Sequence, residues 1–175
     1  NDSQQVDLPL RAYVIQDPTA IADAVNGLIS FLPQLTATKA VDKSSFEPKA
    51  GQSYDLTYTL SIKNTSTRNS GTKPIEVDGQ TINAVVLLDE LPANTTFKSA
   101  KANNTKALVL YPLGQDKFTQ QIPNDKSLIN TLVVAYPQAL AANATETVEL
   151  VVTMNSNIRR TSISNIFSVE HGLVS

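Results

Sequence analysis

The length, composition and charge of the chain exclude several classes of protein. With 175 residues it is long enough to bury a sizeable core, and its net charge of −2 and pI near 5.3 lack the basic balance that nucleic-acid binding requires. It contains no cysteine, which excludes a disulfide scaffold, a thiol nucleophile and a thiolate zinc site. No run of about eighteen apolar residues occurs, so the chain is predicted not to span a membrane.

The first 34 residues differ from the rest and are predicted to form an N-terminal extension, a short strand followed by an amphipathic helix over 18–32. Asp17 provides an N-cap for this helix, Pro18 fits its first position, and Pro33 ends it. Packing on the chain's own domain and a role as a linker or assembly surface both fit this pattern. Because the chain does not begin with Met, we expect it to be a processed or excised piece, and a removed signal peptide or an upstream domain would explain this start equally well.

From residue 35 onward, apolar and polar residues alternate with the period of a β-strand that buries one face. In residues 54–63 every second residue is apolar or aromatic, and turn-rich spacers, notably 64–74 and 114–125, separate the strands. This spacing predicts an all-β fold, an immunoglobulin-like antiparallel β-sandwich of about seven to nine strands over residues 35–175. The predicted strands are 35–41, 54–63, 81–91, 106–112, 130–137, 146–155 and 162–170.

Few residues could support catalysis, and the protein is predicted not to be an enzyme. His171 is the only histidine and lies four residues from the C-terminus, a poor place to hold a catalytic base in register. Asp89 and Glu90 are neighbours on a predicted strand, so they point to opposite faces and cannot flank one substrate as a glycosidase pair does. The six glycines form no cluster of the kind that cradles phosphate.

Calcium binding stays open as an alternative, although no resident cofactor is predicted. Calcium takes oxygen ligands, and several acidic residues occur in predicted loops. These acids form no spaced Asp-x-Asp-x-Asp run, and scattered loop acids are commonly just solvated. The four acids concerned are Asp42, Asp78, Asp116 and Asp125.

Five motifs follow one another along the chain: TATKAVD (36–42), PKAGQSYDLTYTLSIKNTS (48–66), NAVVLLDELPANTTFKSA (83–100), LAANATETVELVVTM (140–154) and SISNIFSVE (162–170). Their order and spacing resemble the immunoglobulin-like repeat of bacterial surface proteins, known as the eleventh domain of unknown function. The resemblance covers residues 35–170. The chain departs from the family pattern through long insertions around 66–80 and 112–127, and the pattern does not account for residues 1–34.

The same pattern is similar to pilin-type domains that form an intramolecular isopeptide bond between a lysine of the first strand and an asparagine of the last, assisted by an acid. This resemblance implies Lys39 as the lysine, Asn165 as the asparagine and Asp89 as the acid. Periodicity gives independent support, because all three polar residues fall on apolar faces, where an unpaired polar group costs a few kcal/mol. Lys43 is a competing lysine outside the predicted strand.

Burial would serve the chemistry of such a bond, because desolvation lowers the pKa of a lysine and raises that of an acid. A neutral Lys39 amine could attack, and a protonated Asp89 could polarise the amide of Asn165. A simpler interpretation remains open for each residue. Lys39 could snorkel to the rim, Asn165 could satisfy a carbonyl at the strand end, and Asp89 could cap the turn before Pro92.

The resemblance implies a non-enzymatic structural or adhesive module of a bacterial cell-surface or secreted protein, used as a stalk or surface-display repeat. Its expected partners are neighbouring domains of the same protein and a host, cell-wall or extracellular polymer ligand, and its expected location is extracellular or at the cell surface. The alternative is a module that recognises carbohydrate or calcium through loops 64–80 and 112–127, because loops on a rigid scaffold commonly carry recognition.

Overall fold

The computed structural model describes residues 35–42, 51–154 and 167–170 and is all-β over them, as predicted. The predicted N-terminal extension, residues 1–34 with its helix, lies outside the described residues. Within the described part of the chain, no helix is long and apolar enough to cross a membrane.

Ten strands connected by turns make up the described fold. A single short 3-10 helix, Lys126–Leu128, interrupts them between the seventh and eighth strands, and Asp125 caps it by accepting a hydrogen bond from the backbone N–H of Ser127. The strands are β1 (Leu35–Val41), β2 (Tyr54–Asn64), β3 (Lys73–Val77), β4 (Gln80–Glu90), β5 (Thr95–Ala102), β6 (Leu108–Gly114), β7 (Lys117–Thr119), β8 (Thr131–Tyr136), β9 (Thr145–Met154) and β10 (Phe167–Glu170).

The first sheet has four antiparallel strands in the order β1-β2-β9-β5. The two central strands carry the cleanest alternation in the sequence, and they pair over ten residues with Leu60 opposite Val148. Both of these side chains are buried, so the pair contributes to the core on one face of the sheet. A bulge between Phe97 and Ser99 interrupts the pairing of β5, the strand at one edge.

The second sheet closes on itself, because β4 is long enough to take different partners along its length. Residues 80–84 of β4 pair with β3, and residues 85–90 pair with β8. From β8 the pairing continues through β6 and β7 back to β3, which β7 joins in parallel. These five strands form a barrel, and β10 pairs with β4 outside the ring.

The two sheets enclose two hydrophobic cores, and β4 contributes side chains to both. Val85 and Leu87 face the core between the barrel and the first sheet, whereas Ala84 and Val86 face the core inside the barrel. This division follows from the two-residue period of a strand, which sends neighbours to opposite faces. All four side chains are fully or almost fully buried. A strand with no polar face in its middle is typical of a position covered on both sides.

The predicted spacers were wrong in part, because they contain strands. The spacer 64–74 includes the start of β3, and the spacer 114–125 includes the last residue of β6 and all of β7. Residues 95–102 form a further strand, β5, that was not predicted. The segments 64–80 and 112–127, assigned to recognition loops, likewise contain β3 and β7, which belong to the barrel wall. Barrel closure, rather than a pair of open sheets, is the main difference from the expected architecture.

Candidate functional site

The candidate site joins the two sheets through Lys39 on β1 and Asp89 near the end of β4. Lys39 lies opposite Leu60 of β2, in the first sheet. Asp89 lies opposite Leu132 of β8 on one side and Phe167 of β10 on the other, in the second sheet. Both residues occupy alternate positions of their strands that face the core between the sheets, which is the placement that periodicity predicted for them.

The two side chains are in direct contact and largely withdrawn from water. Lys39 Nζ lies 2.5 Å from Asp89 Oδ1, and the exposed fractions of the two side chains are 10% and 0%. The Lys39 ammonium also lies 4.8 Å from the centre of the Tyr58 ring, within cation–π range. Tyr58 itself is buried on β2 beside the same core, so it forms an apolar wall for the lysine.

Burial shifts both groups toward their neutral forms. Desolvation lowers the pKa of Lys39, and the hydrogen bond and attraction to Asp89 oppose this shift without reversing it. Desolvation likewise raises the pKa of Asp89 against the same opposing contact with Lys39, and the charge of Glu90 adds to the rise. The pair therefore brings together an amine that is easier to deprotonate and a carboxyl that is easier to protonate than in water.

This arrangement can do one kind of chemistry well. A neutral primary amine is a nucleophile, and a neutral carboxylic acid can donate a hydrogen bond to a carbonyl and relay protons. No water-filled channel is needed, because the two groups already touch. A third group with an electrophilic carbonyl would complete a reactive set at this position.

The predicted third residue, Asn165, lies outside the described residues, as do the competing Lys43 and the lone His171. The described chain resumes at Phe167, two residues after Asn165, and Phe167 lies opposite Asp89 in the β4–β10 ladder. Of the three residues implied by the family resemblance, the structure therefore brings Lys39 and Asp89 together. The Lys39 side chain reaches inward to Asp89 instead of outward to the rim.

The four loop acids considered for calcium have protein partners. Asp42 accepts the N–H of Thr57, and Asp125 caps the 3-10 helix. Asp78 accepts the N–H of Gln120, and Asp116 accepts from Lys73. Within the described ranges, no three acidic or histidine side chains are grouped to hold a metal ion.

A second buried polar group, at Asn64, was not singled out from the sequence. Asn64 ends β2 and is fully buried. Its amide nitrogen donates to the backbone oxygens of Arg68 and Leu140 at 2.7 and 3.0 Å, and its oxygen accepts from the backbone and hydroxyl of Ser66. Ser70 reinforces the same junction through two bonds with Leu140. The cluster fixes the loop after β2 to the turn before β9, and its complete hydrogen bonding marks it as structural.

No protein-family model matches the chain, and a search of curated proteins finds no match. Function must therefore be argued from the chemistry of the chain's own residues, of which the buried Lys39–Asp89 pair is the most distinctive.

Proposed function

We propose that the chain is a non-enzymatic structural or adhesive module, an immunoglobulin-like repeat of a bacterial cell-surface or secreted protein, held closed by an isopeptide bond between Lys39 and Asn165. The observation that carries this proposal is the buried contact between Lys39 Nζ and Asp89 Oδ1 at 2.5 Å. The family resemblance of the five motifs supports the same function, and it supplies Asn165 as the partner.

A buried lysine–carboxylate pair is a poor way to add stability, which favours a chemical role for it. Removing two charges from water costs several kcal/mol for each ion, and apolar residues of the same volume often stabilise a core as well or better. Here the pair lies where two apolar side chains could pack. The same desolvation that makes the pair expensive as ions makes Lys39 a better nucleophile and Asp89 a better acid.

The reaction is balanced without any other reagent. The lone pair of neutral Lys39 Nζ attacks the side-chain carbonyl carbon of Asn165, while protonated Asp89 donates a hydrogen bond to the carbonyl oxygen. A new C–N bond forms as the bond from that carbon to the Asn165 amide nitrogen breaks. Asp89 passes the proton lost by Lys39 to the departing nitrogen, so one ammonia leaves and Asp89 ends protonated as it began.

The bond would join the first strand to the last and bring the two sheets under one covalent constraint. A closure spanning more than a hundred residues stabilises a fold by about 5 kcal/mol in the chain-entropy model. It would also carry tension from β1 directly to the segment before β10, so that the strands between them need not unfold. A module with that property suits a stalk between neighbouring domains or a display repeat facing an extracellular polymer.

Intact mass spectrometry tests the proposal. The unchanged chain is expected to weigh one ammonia less than its calculated mass, and Lys39→Ala, Asn165→Ala and Asp89→Ala are each expected to show their full calculated mass. Lys43→Ala and Lys73→Ala serve as matched controls and are expected to keep the deficit. A full calculated mass for the unchanged chain would overturn the cross-link. A deficit that survives Lys39→Ala but disappears in Lys43→Ala would show that Lys43, and not Lys39, forms the bond.

A further inference from the structure

A cavity of about 640 Å³ opens at one end of the five-stranded barrel, well within the size range of small-ligand sites. Strands β3, β7 and β8 begin at this end, and β4 and β6 finish there. The mouth of a β-barrel is a common place for a ligand, because strand ends from the whole ring converge on it.

The cavity is a continuation of the barrel interior, as the strand period shows. Inside the barrel lie Ile75, Val86, Leu110, Phe118 and Val133. Moving two residues along each of these strands toward the open end reaches the residues that line the cavity. These are Lys73 on β3, Leu88 and then Glu90 on β4, Pro112 and then Gly114 on β6, Asp116 before β7 and Thr131 on β8, with Ser168 and Glu170 added by β10.

The rim of this cavity carries more negative than positive charge. Lys73 Nζ lies 2.8 Å from Asp116 Oδ1 and 2.5 Å from Glu170 Oε2, so both carboxylates share one ammonium. Glu90 stands on the same rim, and no cation of the described chain forms an ion pair with it. Lys117, the next basic residue along β7, faces away and pairs with Glu76. Among the described residues of the rim, three carboxylates against one ammonium leave two negative charges uncompensated.

The walls below the rim are apolar. Leu88, Pro112 and Phe118 form them, and only 7% of Phe118 is exposed, so the ring offers no flat platform on which a sugar could stack. A metal ion is disfavoured because no three acids of the described residues are grouped to ligate one. An anion would be repelled by the rim. The remaining match to the apolar lining and the rim charge is a cation attached to an apolar stem.

We propose that the barrel mouth binds a primary ammonium group carried on a short alkyl chain, with the chain against Leu88 and Phe118 and the ammonium on Glu90. Such a group occurs in free alkyl amines and in lysine side chains of polypeptides. The site is separate from the Lys39–Asp89 pair, so it exists whether or not the isopeptide bond forms.

Three ligands of equal length separate charge from apolar contact. We expect hexylammonium chloride to shift the backbone NMR signals of the lining residues saturably in the isotope-labelled full chain. Hexan-1-ol is expected to bind at least about fivefold more weakly and hexanoate not at all, because each removes or reverses the charge that the rim selects. Equal affinity for the amine and the alcohol, or the lack of a saturable shift with the amine, would overturn the proposal.

Two variants locate the site. Glu90→Gln is expected to weaken hexylammonium binding by about fivefold, and Glu90→Lys is expected to abolish it. Glu149→Gln, an equal change in net charge at an exposed position of β9 in the other sheet, is the control and is expected to leave the affinity unchanged. An equal loss of affinity in Glu149→Gln would show a non-specific effect of net charge and refute the site.

A further pair of titrations identifies the source of the ammonium. If it belongs to a polypeptide, a capped Gly-Lys-Gly tripeptide will bind more tightly than hexylammonium and lose its affinity when its lysine is acetylated. If it belongs to a free amine, hexylammonium will bind more tightly than the tripeptide. Both results support an ammonium site, and neither depends on the mass of the chain, so this proposal and the isopeptide bond fail separately.

Discussion

Two of the lysines that contact carboxylates, Lys39 and Lys73, do so with opposite consequences. Lys39 meets Asp89 between the sheets, where 10% of the lysine side chain and none of the carboxylate is exposed. Lys73 meets Asp116 and Glu170 at the barrel mouth, where its own side chain is 25% exposed. Burial lowers the pKa of Lys39 despite its partner. Burial also acts to lower the pKa of Lys73, but hydrogen bonds to two carboxylates outweigh it and raise that pKa.

Distance alone therefore does not define what an ion pair does. Each lysine has a carboxylate oxygen at 2.5 Å, yet the pKa is lowered only for the buried Lys39 and is raised for Lys73. The more exposed contacts with Asp116 and Glu170 keep Lys73 protonated, which suits an ion pair that links β3, the start of β7 and β10 and does not suit a nucleophile. Replacing single residues in the two places should separate these roles.

The largest effect is expected from Asp89→Ala made in an Asn165→Ala background, where no isopeptide bond can form and Lys39 is left buried without its carboxylate. Removing one partner of a buried pair typically lowers the free energy of unfolding by about 3–5 kcal/mol. Urea denaturation followed by circular dichroism measures the loss. In the same background, Lys39→Met/Asp89→Leu is expected to recover much of it, because two apolar side chains fill the same space. An Asp89→Ala variant within about 1 kcal/mol of its Asn165→Ala parent would show that water reaches the pair.

A much smaller effect is expected from Lys73→Met at the barrel mouth. Exposed ion pairs contribute about 0–1 kcal/mol, and the methionine retains most of the lysine's apolar stem. The difference from the unchanged chain should shrink further as salt is raised, since screening weakens exposed pairs. Urea midpoints at low and high ionic strength measure this. A loss as large as that of Asp89→Ala would remove the contrast between the two contacts.

The smallest effect is expected from Asp78→Asn, because the Asp78 carboxylate is exposed. Hydrogen bonds from the Thr119 side chain and the Gln120 backbone lower the pKa of Asp78 below 3.8. A lowered folded-state pKa stabilises the fold above the unfolded value and loses that contribution as the pH falls through the folded value. The urea midpoint of Asp78→Asn should therefore lie below that of the unchanged chain at pH 7, and the two should converge in acid. Parallel curves throughout would contradict this.

The strands with a strong two-residue period were predictable from the sequence. β1 has the predicted bounds, β2 differs from them by one residue at one end, and β4, β8 and β9 differ by one residue at each end. The burial of Asp89 followed from its phase with Val85 and Leu87, because a strand that buries one face must bury every second residue on it. Local alternation was sufficient for these elements, since their partners are equally regular.

The barrel could not be predicted, because its closure depends on pairing between distant segments. β7 has three residues, too few to show a period, and it is held by the bonds that Asp116 and Phe118 accept from the backbone of β3 and its turn. β3 begins with a lysine and a proline that read as turn residues. The cavity residues belong to the same long-range pattern, so the ammonium site was equally hidden.

The pairing of strand β4 is completed only late in the synthesis of this chain. Its three partners are β3, β8 and β10. The edge of β4 at Val86–Asp89 is covered only by residues 167–170, which are synthesised after every other described strand. Until then the nascent domain presents an apolar strand edge, which is a template for pairing with another chain. The four residues of β10 are therefore the last described segment that can cover this edge.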